Sequence, residues 1–142
     1  MEPEARVCLI MNRFTRSLTV MYASSACEKV FHLDPDDLTG KPILLYIRAD
    51  DLAPFVEQVN FIKSSSAISQ MRFWFQSPNW SREIPCEAIV FGSADGIVAV
   101  IRRCRPFGAG NFMRLAVGIQ DSHLKGIIRM IHFTSYVRSV WA

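Results

Sequence analysis

Long apolar runs, paired cysteines and catalytic signatures are what this 142-residue sequence lacks. No stretch of about 18 uncharged apolar residues occurs, so no membrane-spanning helix is expected. Glu2 and Glu4 precede only a brief apolar run, which is not the layout of a secretory signal. The chain is therefore expected inside the cell, in the nucleus or cytoplasm. Cys8, Cys27, Cys86 and Cys104 lie far apart with no CxxC pair, which excludes a zinc knuckle and a disulfide framework and leaves buried thiols as the reading. No GxSxG, GxxxxGKS/T or HExxH is present, so hydrolytic and phosphoryl-transfer chemistry have no anchor. His123 and His132 are not at the i, i+4 spacing that puts two imidazoles on one helical face, so no metal site is expected. An excess of charge is missing too. Up to Pro106 there are 12 Lys and Arg and 12 Asp and Glu, so the whole excess of +3 lies beyond it. Direct binding of nucleic acid through a broad basic face is not expected, and the local cluster Arg102, Arg103 and Arg105 reads as a solvated strand end. The expectation is a protein that is not an enzyme.

What is present is apolar. Half of the residues are hydrophobic, ten are Phe, and mean hydropathy is +0.16. A chain of this length can bury one core, and its apolar excess points to a surface that meets a partner.

The densest punctuation lies between Ser24 and Asp51. Ser25 and Glu28 have the spacing of a capping box, predicting a helix start at Ser25. Asp34-Pro35-Asp36-Asp37 supplies a cap, a first-turn proline and carboxylates suited to a helix N-terminus, and Gly40 with Pro42 stops that helix. Asp50-Asp51 offers the next cap, ahead of Leu52, Phe55, Val56, Val59 and Ile62 at helical spacing. This predicts a helix from Asp51 to about Ser64, with Pro54 tolerated in its first turn. Those aspartates thus have structural roles, which weighs against catalysis.

Strands are predicted at Val7 to Asn12, Leu18 to Ala23, Ile68 to Gln76, Ile84 to Phe91 and Ile97 to Cys104. Two strands, helices, then three strands give an α+β fold: a five-stranded antiparallel sheet with short helices and one longer helix on one face. Side chains alternate between faces, so Met71, Phe73 and Phe75 turn inward, with Cys86, Ala88 and Val90 and with Ile97, Ala99 and Ile101. Outward-facing Trp74, Ile89, Phe91, Val98 and Val100 then form one apolar patch. Burying each large member is worth roughly 1.5 to 3 kcal/mol, so the patch is expected to be an interface or to be covered by the chain's own tail.

The order of elements, with Val30-Phe31-His32 at a corner, Asp36-Asp37-Leu38-Thr39-Gly40-Lys41-Pro42 after it and Tyr46-Ile47-Arg48-Ala49-Asp50-Asp51 closing the turn, resembles a Per-Arnt-Sim (PAS) domain. The resemblance covers residues 6–106; His32 stands where the family often has Tyr. Tyr22-Ala-Ser-Ser-Ala and Leu33 to Pro42 resemble non-flavin PAS domains of eukaryotic transcription regulators, of the fungal white collar and basic helix-loop-helix types. The light-oxygen-voltage class places its flavin-reactive cysteine just after the glycine stop, where this chain has Ile43 or Leu44. Haem-binding members use a histidine of the long helix, and this one has none. The resemblance therefore implies no flavin or haem. It implies a sensory or protein-interaction module of signal transduction or transcription regulation that homo- or heterodimerises through its outer sheet face, or docks a flanking helix there. The alternative is a sensor holding an apolar ligand in a cavity lined by Phe55, Met71, Phe73, Phe75 and Ile101. Residues 107–142 are read as a tail, with an amphipathic helix near Ser122 to Phe133 from the spacing of Leu124, Ile127, Ile128 and Ile131, and residues 6–106 are expected to fold without it.

Overall fold

Strand β1, Val7–Met11, is buried along its whole length. In this computed structural model, which describes residues 4–78, 82–108 and the backbone of 115–116, it lies inside the sheet, one strand in from an edge. It pairs with β2 (Val20–Ala23) on one side and with β5 (Ile97–Arg103) on the other. β4 (Glu83–Gly92) joins β5 to β3 (Ile68–Gln76), and a two-residue strand β6, Leu115–Ala116, adds to β3 at Ser69 and Gln70. The order is β2-β1-β5-β4-β3-β6, with every pairing antiparallel. The five expected strands are present, β3 with the bounds read from its alternation, and β6 extends the sheet past Pro106.

Between β2 and β3 the chain forms α1 (Cys27–Phe31), α2 (Pro35–Leu38), a 3-10 turn at Ile43–Tyr46 and α3 (Ala49–Ser64). Asp34 caps α2 as expected, its Oδ1 accepting from the Asp36 amide at 2.8 Å, with Pro35 in the first helical position. Gly40 follows at φ +85°, a conformation that costs glycine little. Two local expectations need correction. No capping box forms at Ser25: α1 begins at Cys27 behind Ala26, which makes no side-chain cap. The neighbouring Ser24 Oγ accepts from the Cys8 amide of β1 at 2.9 Å, which ties the segment before α1 to the sheet. Likewise α3 starts at Ala49 behind Arg48, so Asp50 and Asp51 lie inside its first turn and Pro54 lies beyond it. Proline has no N–H to donate to the Asp50 carbonyl one turn back. The Asp51 carboxylate points across to β3, where its Oδ2 accepts from the Trp74 amide at 2.8 Å.

All described helices gather on one face of the sheet. There Val7, Leu9, Met11, Phe31, Leu38, Ile43, Phe55, Val59 and Ile62 join the inward residues of β3, β4 and β5 in one core. The inward parity expected for Met71, Phe73, Phe75, Cys86, Ala88, Val90, Ile97, Ala99 and Ile101 is the observed one. Aromatic rings fill its centre: Phe31 stacks on Phe75 at 3.9 Å, Tyr46 on the same ring at 5.4 Å, and Phe55 meets Phe73 edge-on at 5.4 Å. At the β4 to β5 turn, a Cβ on the buried Gly96 would stand 3.0 Å from the Met11 carbonyl, which is why this turn sits so close to β1.

The chain also closes the sheet's margins. On the β2 side, Val20 donates to the Lys41 carbonyl at 2.8 Å and accepts from the Gly40 amide at 2.7 Å, beside a bridge between Thr19 and Pro42. On the β3 side, Arg48 donates its amide to the Trp74 carbonyl at 2.9 Å, and Ile47 bridges to Phe75.

Candidate functional site

The face turned away from the helices carries a second, separate apolar cluster. Its rows follow from the strand register: Tyr22, Ile10, Val98, Phe91 and Ile68 stand side by side across five strands, with Cys8, Val100 and Ile89 in the next row. Cys8, Ile10, Phe91 and Val98 form the cluster's buried centre, and Met21, Tyr22, Ile68 and Ile89 pack around them. Every member is a strand residue. Four of the five outward residues expected from parity, Ile89, Phe91, Val98 and Val100, thus lie together. Trp74 does not join them, because a row of charge comes between.

That row is a continuous ladder of ion pairs. Arg72 Nε meets Glu87 Oε2 at 3.2 Å, Glu87 Oε1 meets Arg102 at 2.9 Å, Arg102 meets Glu4 at 3.0 Å, and Glu4 meets Arg6 at 3.6 Å. Glu87 is the most enclosed, with a side chain 10% exposed. Burial works to raise its carboxyl, but the hydrogen bonds and charge of Arg102, with the bonds from Arg72 and Gln70, outweigh this and hold it below the usual carboxylate range. A groove of about 720 Å³ runs beside the ladder, walled by Arg103 to Pro106. Beyond it Trp74 packs against Phe107 at 5.4 Å and lies under the Arg48 guanidinium at 5.0 Å. The Trp74 indole N–H is buried without a hydrogen-bond partner among the described residues.

The expected cavity-lining set, Phe55, Met71, Phe73, Phe75 and Ile101, is brought together in the main core, each side chain at most 2% exposed. The groove beside the ladder does not reach these residues, nor does a second one of about 420 Å³ at Arg13, Ser64 to Ser66 and Gly92 to Ala94.

Cys27, Cys86 and Cys104 are poor nucleophiles. Burial first, then the charges of Asp34 and Glu28, pushes Cys27 up to about 12, and burial raises Cys86 further. Cys104 is raised by burial as well. Ile43 is buried in the 3-10 turn and Leu44 lies beside it, at the positions the flavin-reactive thiol would take. His32 closes α1 in the left-handed conformation, φ 56°, its amide donating to the Glu28 carbonyl at 3.0 Å. Arg103 reaches the His32 ring and donates from Nε to the Val30 carbonyl at 2.8 Å, tying β5 to the end of α1. Desolvation, then Arg103 and Arg82, lowers the His32 pKa. The expected arginine cluster is thereby divided: Arg102 serves the ladder, Arg103 serves α1, and Arg105 is exposed. The amphipathic segment near Ser122 to Phe133 lies outside the described residues.

Sequence reading missed Cys8, Ile10 and Tyr22 as members of the outer cluster, and the ladder altogether. The even-numbered run Glu4, Arg6, Cys8 and Ile10 carried the signal, since it alternates with the core residues Val7, Leu9 and Met11.

An antiparallel sheet with β1 inserted beside β5 and short helices crossing one face is the PAS fold, and the chain has it. Among solved structures, the PAS domain of the Cronobacter turicensis quorum-sensing receptor RpfR, in complex with BDSF, matches with TM-score 0.58 at 10% identity, over 74% of this chain and 99% of that one. A variant PAS-B domain of Drosophila melanogaster Cycle with bound glycerol matches with TM-score 0.57 at 10% identity, over 68% and 96%. An RNA-binding light-oxygen-voltage receptor matches with TM-score 0.55 at 9% identity, over 92% of this chain and 36% of that one. No protein-family model and no curated protein matches the sequence. Among the described residues no helix is long and apolar enough to cross a membrane.

Proposed function

We propose that this chain is a protein-interaction module of signal transduction that acts by homo- or heterodimerisation through its outer sheet face. One observation carries the reading: a second apolar cluster, built wholly of strand side chains, lies on the face that no described helix covers. The centre of the cluster is already down to 7–8% exposure within the single chain, so association would cover its half-buried margin, Met21, Tyr22, Ile68 and Ile89, with the ladder as a polar rim. The module binds and does not catalyse, since Cys27 and Cys86 are held as neutral thiols and Asp34 and Asp51 are engaged in helix starts and strand contacts. The purified chain is expected to be colourless, without flavin or haem. The resemblance of Leu33 to Pro42 to eukaryotic regulators, with the structural likeness to a PAS-B domain of Drosophila, favours a transcription regulator of the nucleus or cytoplasm.

A second reading, an apolar ligand held between sheet and helices, has the support of the BDSF complex among the similar structures. The Phe31, Phe75 and Tyr46 stack occupies that space here and favours the interaction reading. The test is Phe91→Glu together with Val98→Glu, followed by light scattering on a sizing column. A folded monomer, where the wild type associates, supports the proposal. A wild type that is monomeric at high concentration, with a double variant that unfolds, shows a face covered within the chain and ends it.

A further inference from the structure

Independently of the interaction reading, we infer that the groove beside the ladder is a binding site for a single phosphoryl group, carried by a small molecule or by a phosphorylated side chain. The groove arises from how the chain leaves β5. The Cys104 amide still donates to the Pro85 carbonyl of β4 at 3.0 Å, and by Phe107 the chain has reached Trp74, the partner of Pro85 on β3. Residues 104–107 thus cross the end of the sheet, leaving a space of about 720 Å³ beside the ladder. Its charged lining is unbalanced. Arg72, Arg102, Arg103 and Arg105 line it against only Glu4 and Glu87, so two positive charges are left over in a domain that otherwise matches its cations with carboxylates.

The carboxylates are already engaged. Glu87 Oε1 accepts from Arg102 at 2.9 Å and from Gln70 at 3.0 Å, and its Oε2 accepts from Arg72 at 3.2 Å. Glu4 holds Arg102 and Arg6. The guanidiniums keep donors in reserve. Arg72 gives Glu87 only its Nε, and the exposed Arg105 makes no hydrogen bond or ion pair among the described residues. A guanidinium anchored through Nε presents its two terminal nitrogens in one plane, the geometry that takes phosphoryl oxygens in pairs. Arg72 is held in that way by the ladder, with its side chain 34% exposed and therefore within reach of a ligand. The size of the excess decides the class of anion. A phosphoryl group carries about −1.5 to −2 at neutral pH and matches two spare positive charges, whereas a carboxylate carries one. A nucleic-acid backbone would lay successive phosphates along the ladder and meet Glu87 and Glu4, so a polyanion fits poorly.

The test is an NMR titration of the full chain at constant ionic strength, following the arginine Nε–H signals. The probes are inorganic phosphate, a short glycine-serine peptide bearing one phosphoserine, and the same peptide with serine or glutamate at that position. The phosphorylated probes are expected to shift the Arg72 and Arg105 signals, the glutamate peptide to act more weakly and the serine peptide not at all. Phosphate binding as well as the phosphopeptide identifies a small-molecule source, and a tighter phosphopeptide identifies a side chain. Arg105→Gln, at an exposed position, is expected to weaken binding about tenfold. Arg16→Gln, which removes the same charge from the exposed connection between β1 and β2, is expected to leave it unchanged. Equal losses from the two variants would mean that net charge alone attracts the probe, and the site is wrong. The proposal is also overturned if no probe shifts Arg72 or Arg105, or if an oligouridylate binds more tightly than the phosphopeptide and displaces it. None of these outcomes bears on the apolar cluster, which the Phe91 and Val98 double variant tests separately.

Discussion

The two faces of this sheet are written by the same strands in the same register, and they solve opposite problems. On the inner face alternate residues are apolar apart from Ser69, whose hydroxyl donates to Gln58 Oε1 at 2.7 Å, and aromatic rings stack to fill the volume under the helices. On the outer face the apolar rows stop at Arg72, Glu87 and Arg102, and charge takes over. The inner pattern provides stability, because any ring removed leaves a void. The outer pattern combines apolar area with a directional arrangement of charge, which is what recognition requires. On the reading proposed above, one period-2 alternation separates folding from binding.

The sharpest contrast is between Phe75 and Phe91. Phe75→Ala removes the middle ring of a three-ring stack and is expected to cost about 3–5 kcal/mol in urea-induced unfolding. Phe91→Ala is expected to cost the monomer less and to act on association instead. Equal losses from the two would break the division between the faces. A smaller effect is expected from Glu87→Gln. Its carboxyl is depressed in the folded protein, so the stability it provides is present above its ordinary value of 4.5 and is lost as pH falls through the depressed one. The variant should therefore show a flatter acid limb in thermal melts below pH 4.5. A steep limb unchanged by the substitution would remove Glu87 from the acid response. The smallest effect concerns His32, whose folded pKa lies below 6.5. Its neutral form is favoured, so its contribution is full above 6.5 and declines as pH falls toward the folded value. Proton NMR should place the His32 midpoint below 6.5, and Arg103→Gln should move it upward.

Much of this architecture was legible because β3 alternates cleanly and the charged Glu87 and Arg102 set the parity of the apolar runs in β4 and β5, so Met71, Phe73 and Phe75 could be assigned inward and Ile89, Phe91, Val98 and Val100 outward. The helix starts were less legible. Ser25 and Glu28 have the spacing of a capping box, yet Ser24 is drawn to the Cys8 amide on β1 and the helix begins at Cys27. Asp51 resembles a cap and acts as an acceptor for Trp74 instead. At Asp51 a long-range hydrogen bond outcompetes the local one, whereas at Ser25 the helix starts two residues later than the motif implies, and no local pattern reports either. The ladder was hidden for a related reason. Glu4 and Arg102 come from opposite ends of the domain, and only the pairing of β1 with β5 makes them neighbours.

The closed margins of the sheet bear on how copies of this molecule can meet in a crowded cell. An open strand edge is a template that any extended segment can join, and that route leads to indefinite stacking. Here Val20 on one margin is engaged by Gly40 and Lys41, while Trp74 on the other is engaged by Arg48 and Asp51. Growth by strand addition is obstructed at those positions, which leaves the broad face as the proposed place of contact. The association of faces proposed above would be finite, because a face once covered leaves no equivalent surface for a further molecule. The same backbone bonds that finish the fold thereby guard against a fibre.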